Sequence, residues 1–463
     1  MSLNPRISAG VLVCISLASV DEILRADMLW TYVTGLGLFA FFLLEWPRLA
    51  KTAKALVVFA ILLGAVMIFL NKMTPYILAK AVSRAGFLTF FMVSLALLQN
   101  AADSSLMVRR CGKAIVHQPP GRRYFMLAVG ASFFSAFLSI GTISLLGTMV
   151  KNGIDSARDT TEDQVSEIRL QRMTVAILRG FCTIVFWSPV TLTLAIVLTA
   201  LPELSWIEIQ PYGFIITICF LFIGWLLDRS AYPRSKLSPV VPKGAPLTVL
   251  YPLFGLMVLI FALAALLANI LTINLISALL ITIPFISLGW VYVQYWRGDW
   301  GDATLRSLSR AYNGFLPALP NMRSEISIFA ASAFIGLLVP PLIDVDALGG
   351  FIVEFGLGKG WILTLSFWII IMVAMIGINP IISVTIALDL LPRLPQIDIA
   401  PLSIAIMAIT AWSIIVGFSP LSAAVRIAGR VVDRDIVDIG FRWNGQYSLI
   451  VTALFSVALL VFT

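Results

Sequence analysis

The sequence predicts an all-α polytopic membrane protein, and three observations carry that reading. Of 463 residues, 60% are apolar and only 12% are charged, about half the charge of an average soluble domain (~25%). Apolar stretches long enough to cross a hydrocarbon layer, which takes ~20 helical residues, recur from Ile7 to Thr463. Blocks such as Ala53–Leu70 and Leu247–Leu267 are apolar on every face. Lipid offers no partner for backbone N–H and C=O groups, so only helices or closed barrels span it. Barrel strands would alternate apolar and polar residues, and these blocks do not.

Spans are expected at about 7–22, 28–46, 53–70, 84–102, 173–201, 209–227, 247–268, 275–293, 325–343, 399–430 and 445–463. The first resembles a signal peptide but lacks a clear small-x-small site before Asp21, so it is read as a retained helix. Two apolar blocks remain, 124–150 and 361–392. They are too long for one upright span and carry Gly, Pro or polar residues near the middle.

Loop charge indicates their path. The net charge is +8, and the cations cluster in particular loops, which points to membrane topology rather than nucleic acid. Segment 103–123 holds Arg109, Arg110, Lys113, Arg122 and Arg123; segment 151–172 holds Lys151, Arg158, Arg169 and Arg172. Both are assigned to the cytoplasm, with the N-terminus. Block 124–150 then enters and leaves on one side, as a re-entrant hairpin turning near Ser139-Ile140-Gly141-Thr142. The loops with Arg229, Arg234, Lys236 and Lys243, and with Arg297, Arg306, Arg310 and Arg323, are cytoplasmic in turn. Block 361–392 follows Asp344, Asp346 and Glu354 and precedes the lone cation Arg393. It is expected as a second hairpin, dipping from the outside. Segment 71–83 is the exception: external, yet carrying Lys72 and Lys80.

Two stretches repeat. Phe186-Trp187-Ser188-Pro189-Val190-Thr191 and Gly417-Phe418-Ser419-Pro420-Leu421-Ser422 each place aromatic-Ser-Pro inside a long apolar helix. Each follows a re-entrant block, and each block follows an ordinary helix. Helix 84–102 runs inward and 325–343 outward, so the repeats are inverted. This is the layout of secondary transporters whose sites lie where discontinuous helices meet. The expected organisation is scaffold helices over 1–83, repeat 1 over 84–201, connecting helices and basic loops over 202–324, repeat 2 over 325–430, and a terminal helix over 431–463.

The breaks carry the chemistry. Proline has no N–H and clashes with the carbonyl four residues back, so Pro189, Pro380 and Pro420 free carbonyls inside the membrane. With hydroxyls, these are hard oxygen ligands suited to Na⁺; the half-helix N-termini beyond them suit anions. The candidate binding residues are Ser139, Gly141, Thr142, Ser144, Ser188, Pro189, Thr191, Gly377, Asn379, Pro380, Ser383, Ser419, Pro420, Ser422 and Arg426. Hydroxyls in membrane helices also bond their own backbone or a neighbour. Arg426 and Arg179 either neutralise an anionic solute or snorkel to the interface. Asp389 beside Arg393 reads as an interfacial pair.

Phe134-Ser135-Ala136-Phe137-Leu138-Ser139 and the two aromatic-Ser-Pro breaks resemble the ion transporter superfamily, in particular the divalent anion/sodium symporter family. The resemblance covers about 84–201 and 325–430. It implies a homodimer with elevator-type alternating access in a bacterial inner membrane, and Na⁺-coupled uptake of carboxylates in many members. Where that family reads Ser-Asn-Thr at the first tip, this chain reads Ser139-Ile140-Gly141, which leaves the solute open. The expected function is secondary active transport of a small, carboxylate-like anion, driven by Na⁺ or H⁺, with membrane lipids as the other partners. No resident cofactor or metal is expected. A membrane-embedded enzyme of envelope polysaccharide or lipid metabolism is the alternative. Such an enzyme needs acid–base or nucleophilic groups, but the single histidine, His117, lies in a loop beside Pro119-Pro120. HExxH and GxSxG are both absent. The cysteines Cys14, Cys111, Cys182 and Cys219 lack metal-site spacing.

Overall fold

The computed structural model describes residues 5–25, 28–156, 163–232, 244–296, 300–394 and 397–463. In chain order the helices begin with α1 (Pro5–Arg25), α2 (Met28–Glu45), α3 (Lys51–Phe69), α4 (Pro75–Asp103), α5 (Leu106–Val116), α6 (Pro120–Leu138) and α7 (Gly141–Asp155). There follow α8 (Asp163–Cys182), α9 (Ile184–Trp187), α10 (Leu192–Ala200), α11 (Trp206–Ala231), α12 (Tyr251–Leu271), α13 (Leu275–Tyr295) and α14 (Trp300–Arg310). The chain ends with α15 (Leu316–Ala318), α16 (Arg323–Leu338), α17 (Val345–Glu354), α18 (Lys359–Met375), α19 (Pro380–Leu390), α20 (Pro401–Phe418), α21 (Ala423–Val432) and α22 (Gly445–Phe462).

Among the described residues, eleven helical segments are long and apolar enough to cross a membrane, and they match the eleven expected spans one for one. Two of them are interrupted, over Gln164–Ala200 and Pro401–Val432. Block 124–150 is not among the eleven; it folds as two arms, α6 and α7, joined at Ser139-Ile140. Block 361–392 likewise breaks into α18 and α19 around Gly377. The order of helix, turn-linked pair and interrupted helix therefore occurs twice in an all-helical polytopic fold. Arg158, Arg234, Lys236, Lys243 and Arg297 of the expected basic loops lie outside the described residues.

Three span boundaries differ most from expectation, the first being that the segment ending at Leu342 begins at Trp300 rather than 325. Helix α4 begins at Pro75 rather than 84, because Arg84 is buried inside the protein, in the field of Asp389, instead of marking an end. Helix α8 begins ten residues before 173, as a polar extension beyond its apolar stretch. Of segment 71–83 only residues 71–74 form a turn, and the rest is the start of α4. Asn71 takes φ +53°, and Lys72 Nζ donates to Pro341 O at 3.2 Å.

The chain divides into two compact units. The first comprises residues 1–101, 258–354 and 381–396. There α1 packs on α2, and α3 on α16 through Val57, Ala60, Ala331 and Ile335. The small alanines let the two backbones approach closely, which is how membrane helices gain contact when lipid is as apolar as their own side chains. Glu45, fully buried, accepts from Ser8 Oγ at 2.5 Å and pairs with Arg323 at 3.0 Å. Asp389 pairs with Arg393 at 2.7 Å, as the sequence suggested.

The second unit comprises residues 102–257, 355–380 and 397–463. It holds the first hairpin and both interrupted spans. The arms α6 and α7 pack on α8; α20 crosses α8, α9 and α10; and α21 packs on α7 and α8.

Candidate functional site

The first tip is a strained turn. Ser139 caps α6 with φ +46°, ψ −127°, outside the region favoured by residues with a Cβ. Its N–H donates to Ser135 O at 2.9 Å, and Thr142 N–H returns to Ser139 O at 3.1 Å, starting α7. Thr142 is fully buried, and its Oγ1 has no hydrogen-bond partner among the described residues. Gly141 faces Asp103: a Cβ there would lie 3.9 Å from Asp103 Oδ1. Ser144 is exposed one turn on.

The first break runs from Ser188 to Thr191. Ser188 and Thr191 are extended, with ψ 124° and 141°. Ser188 N–H donates to Ile184 O at 3.0 Å, and its Oγ accepts from Val190 N at 3.4 Å. Thr191 Oγ1 donates to Ser188 O at 3.1 Å. At the second break Ser419 and Ser422 are extended, with ψ 122° and 146°. Ser419 N–H donates to Ile415 O at 2.9 Å, and its Oγ accepts from Leu421 N at 3.3 Å. Ser422 caps α21 by accepting from Val425 N at 3.1 Å and donates to Val416 O at 2.8 Å.

The two Ser-Pro turns thus make the same pair of bonds, i to i−4 through the amide and i+2 to i through the hydroxyl. The cause is shared: proline at the next position cannot donate, so the serine hydroxyl turns to the amide beyond it. Both serines are buried. Each break also abuts a glycine. A Cβ on Gly213 would sit 2.0 Å from Phe186 O, and one on Gly440 2.6 Å from Phe418 O. Any larger residue would push the backbone just ahead of the break.

At the second tip Gly377 takes φ +97°, where a Cβ is strained, and Ile378 N–H closes the turn on Val373 O at 3.2 Å. A Cβ on Gly377 would meet Leu421 Cδ1 at 3.3 Å, so this tip lies against the second break. Asn379 and Pro380 follow, both half-buried. Ser383, one turn into α19, belongs to the first unit. Arg426 is exposed on α21, with its N–H bonded to Ser422 O at 3.1 Å.

Arg179 departs from the snorkelling reading. It is buried and does not snorkel. Its Nε donates to Asn444 Oδ1 at 2.8 Å, Nη1 donates to Tyr124 OH at 2.9 Å and Gly224 O at 3.2 Å, and the guanidinium lies 4.4 Å from the Tyr447 ring centre. Asn444 in turn donates to Gly417 O at 2.8 Å, two residues before Ser419. Ser413 Oγ donates to Cys182 O at 2.9 Å. The two interrupted spans are therefore cross-braced just ahead of their breaks, directly from Ser413 to Cys182 and through Asn444 from Gly417 to Arg179. A second brace joins the first hairpin to the first break, where Ser132 Oγ accepts from Thr183 Oγ1 and Trp187 Nε1, both at 2.9 Å.

Asp103 and Asn444, which meet the first tip and Arg179, are not among the candidates the sequence offers. Asp103 had a faint signal as an acid within a basic segment; Asn444 had none. Chemically the arrangement offers bent backbone, buried hydroxyls and two half-helix N-termini, α10 and α21. Among the described residues no His, Cys, Asp or Glu group could hold a metal. His117 caps α5, with Nδ1 2.8 Å from Lys113 O.

No family profile and no characterised protein matches the sequence. Solved structures do. The YdaH transporter of Alcanivorax borkumensis, described as having an unusual topology, superposes with a TM-score of 0.54 at 15% identity, over 89% of this chain and 97% of its own. The chain shares its fold with that transporter. MtrF of Neisseria gonorrhoeae, described as illuminating a class of antimetabolite efflux pumps, superposes with a TM-score of 0.51 at 14% identity, over 80% of this chain and 81% of its own. The likeness is one of fold, and it does not single out the divalent anion/sodium symporter family.

Proposed function

We propose that this protein is a secondary active transporter of a small anionic, carboxylate-like solute, moved by alternating access and driven by Na⁺ or H⁺. The observation that carries the reading is the pair of Ser-Pro breaks, alike in the two bonds that each serine makes and held within one compact unit. Discontinuous helices in repeated elements are the sites of many secondary transporters. The fold shared with YdaH and MtrF favours transport over membrane-embedded catalysis.

The roles follow from the chemistry. Carbonyls freed at Pro189 and Pro420, with the hydroxyls of Ser188, Thr191, Ser419 and Ser422, coordinate the driving cation. The N-terminal ends of α10 and α21 attract the anion. The tips at Ser139–Ser144 and Gly377–Pro380 close over it, and Arg426 adds a positive charge at the mouth. Residues 84–201 and 325–430 form the two repeats. Placement of the first hairpin and both breaks in one unit suits elevator-type access in a homodimer of a bacterial inner membrane. The MtrF likeness puts export of antimetabolites beside uptake of carboxylates.

Ligand-induced thermal stabilisation of the purified protein tests the site. Mono- and dicarboxylates and anionic antimetabolites are screened with Na⁺ or with K⁺ in its place. At least one anion should raise the unfolding temperature of the wild type. Ser188→Ala and Ser419→Ala should fold, since a lone buried hydrogen bond is worth about 1 kcal/mol, but lose most of that rise. A flat response across the panel, or an undiminished one in both variants, contradicts the assignment.

A further inference from the structure

The first hairpin leaves a cavity of about 130 Å³ at the end away from its tip, lined by His117, Arg123, Gly153, Ile154, Ser166 and Arg169 among others. That is room for several waters, at ~10–15 Å³ each, or for one tetrahedral oxyanion. Arg123 lies in the first turn of α6, and Ser166 and Arg169 lie in the first two turns of α8. These positive helix ends are opposed by the C-terminal ends of α5 and α7, so the side chains decide the sign of the cavity.

Those side chains are cationic. Among the described residues Arg123 donates through its Nε alone, to Gln118 O at 2.8 Å, which leaves the outer edge of its fork for another partner. Among the described residues neither Arg123 nor Arg169 forms an ion pair. The nearby charge of Arg172 is matched by Asp228 through two bonds of 2.9 and 2.7 Å. Burial first, and then repulsion from Arg169 and Arg172, push the Arg123 guanidinium below its ordinary value. Ser166, buried beside the cavity, adds a hydroxyl.

We propose that this cavity binds a phosphate-type oxyanion, gripped by the forks of Arg123 and Arg169 with Ser166 as a hydroxyl donor. Guanidinium groups match such oxygens with paired, charge-assisted bonds. The phosphate belongs either to an anionic phospholipid headgroup, as in basic pockets between membrane helices, or to free inorganic phosphate. Bound there, it ties the base of the hairpin to the foot of α8. The inference stands apart from the transport proposal and needs no solute at the breaks.

Thermal unfolding of the purified full chain tests it in two arms. One arm titrates inorganic phosphate against chloride at equal ionic strength. The other compares liposomes of phosphatidylcholine with liposomes carrying phosphatidylglycerol. The wild type should gain about 5 °C in at least one arm, as expected of a ligand well above its dissociation constant. Arg169→Gln changes an exposed side chain and should fold, yet lose most of the gain, as should Ser166→Ala in smaller measure. Arg442→Gln, in an exposed pair with Asp438, should keep it. A gain only with phosphatidylglycerol assigns the lipid; a gain with inorganic phosphate assigns the free ion. No gain in either arm, or equal gains in Arg169→Gln and Arg442→Gln, overturns the proposal.

Discussion

Gly213→Ala tests how tightly the first break is held. The new Cβ would stand 2.0 Å from Phe186 O and 2.9 Å from its carbonyl carbon, whereas ordinary contact begins at 3.4 Å. The obstacle is backbone, so no rotamer change relieves it; α11 or the Phe186–Ser188 segment must move by more than 1 Å. Overpacking of this kind costs about 1–3 kcal/mol. Replacing a helical glycine by alanine returns about 0.5–1 kcal/mol. Gly289→Ala supplies the control, because nothing lies within 4 Å of its Cβ and it gains the same propensity. The difference between the two variants is therefore about 1–3 kcal/mol, or several degrees of unfolding temperature. The functional loss should be larger, since displacing site groups by ~1 Å can cost about a hundredfold. The assay is solute-induced stabilisation together with flux in liposomes. Gly213→Ala behaving like Gly289→Ala in both would refute the claim that this close approach fixes the break.

Arg179→Lys keeps the charge but cannot reproduce the fork that reaches Asn444, Tyr124 and Gly224. It should fold less stably by about 2 kcal/mol, and solute response should fall with it; an unchanged response would remove the brace from the account. Glu45→Gln strips the carboxylate from Arg323 and leaves a half-exposed cation against a buried amide. Breaking a buried pair costs about 3–5 kcal/mol. Screening of the part-exposed Arg323 reduces that to about 1–3 kcal/mol, read as a lower unfolding temperature with flux per folded molecule unchanged. Cysteines introduced at positions 120 and 160 should react with an impermeant maleimide from the same side of the membrane. Native Cys111 will not interfere, because it is buried and burial pushes its thiol above the ordinary value. Labelling of the two positions from opposite sides would refute the re-entrant path.

The spans were legible because each is a continuous apolar run, and the interruptions because Ser-Pro is a local signal. The exclusion of block 124–150 from the spans was legible only through loop charge. What stayed hidden depends on distant partners. Arg84 looked like a helix boundary and is an interior residue, since only packing shows which face of α4 it occupies. Arg179 read as either an interfacial cation or a partner for an anion, and it is held by Asn444, 265 residues away. Gly213 and Gly440 are unremarkable in sequence, and their meaning lies in the carbonyls they face. Asp103 stands in a basic segment and meets the first tip only because α4 ends beside Gly141.

The most direct measurement is gradient-driven flux in liposomes containing only this protein, with labelled carboxylates and anionic antimetabolites tested in both directions. At least one anion should accumulate under an imposed Na⁺ or H⁺ gradient. That accumulation should collapse with an ionophore and fall at least tenfold in Ser188→Ala/Ser419→Ala. Flux that ignores the gradient, or none across the panel from protein that is folded and inserted, would contradict it.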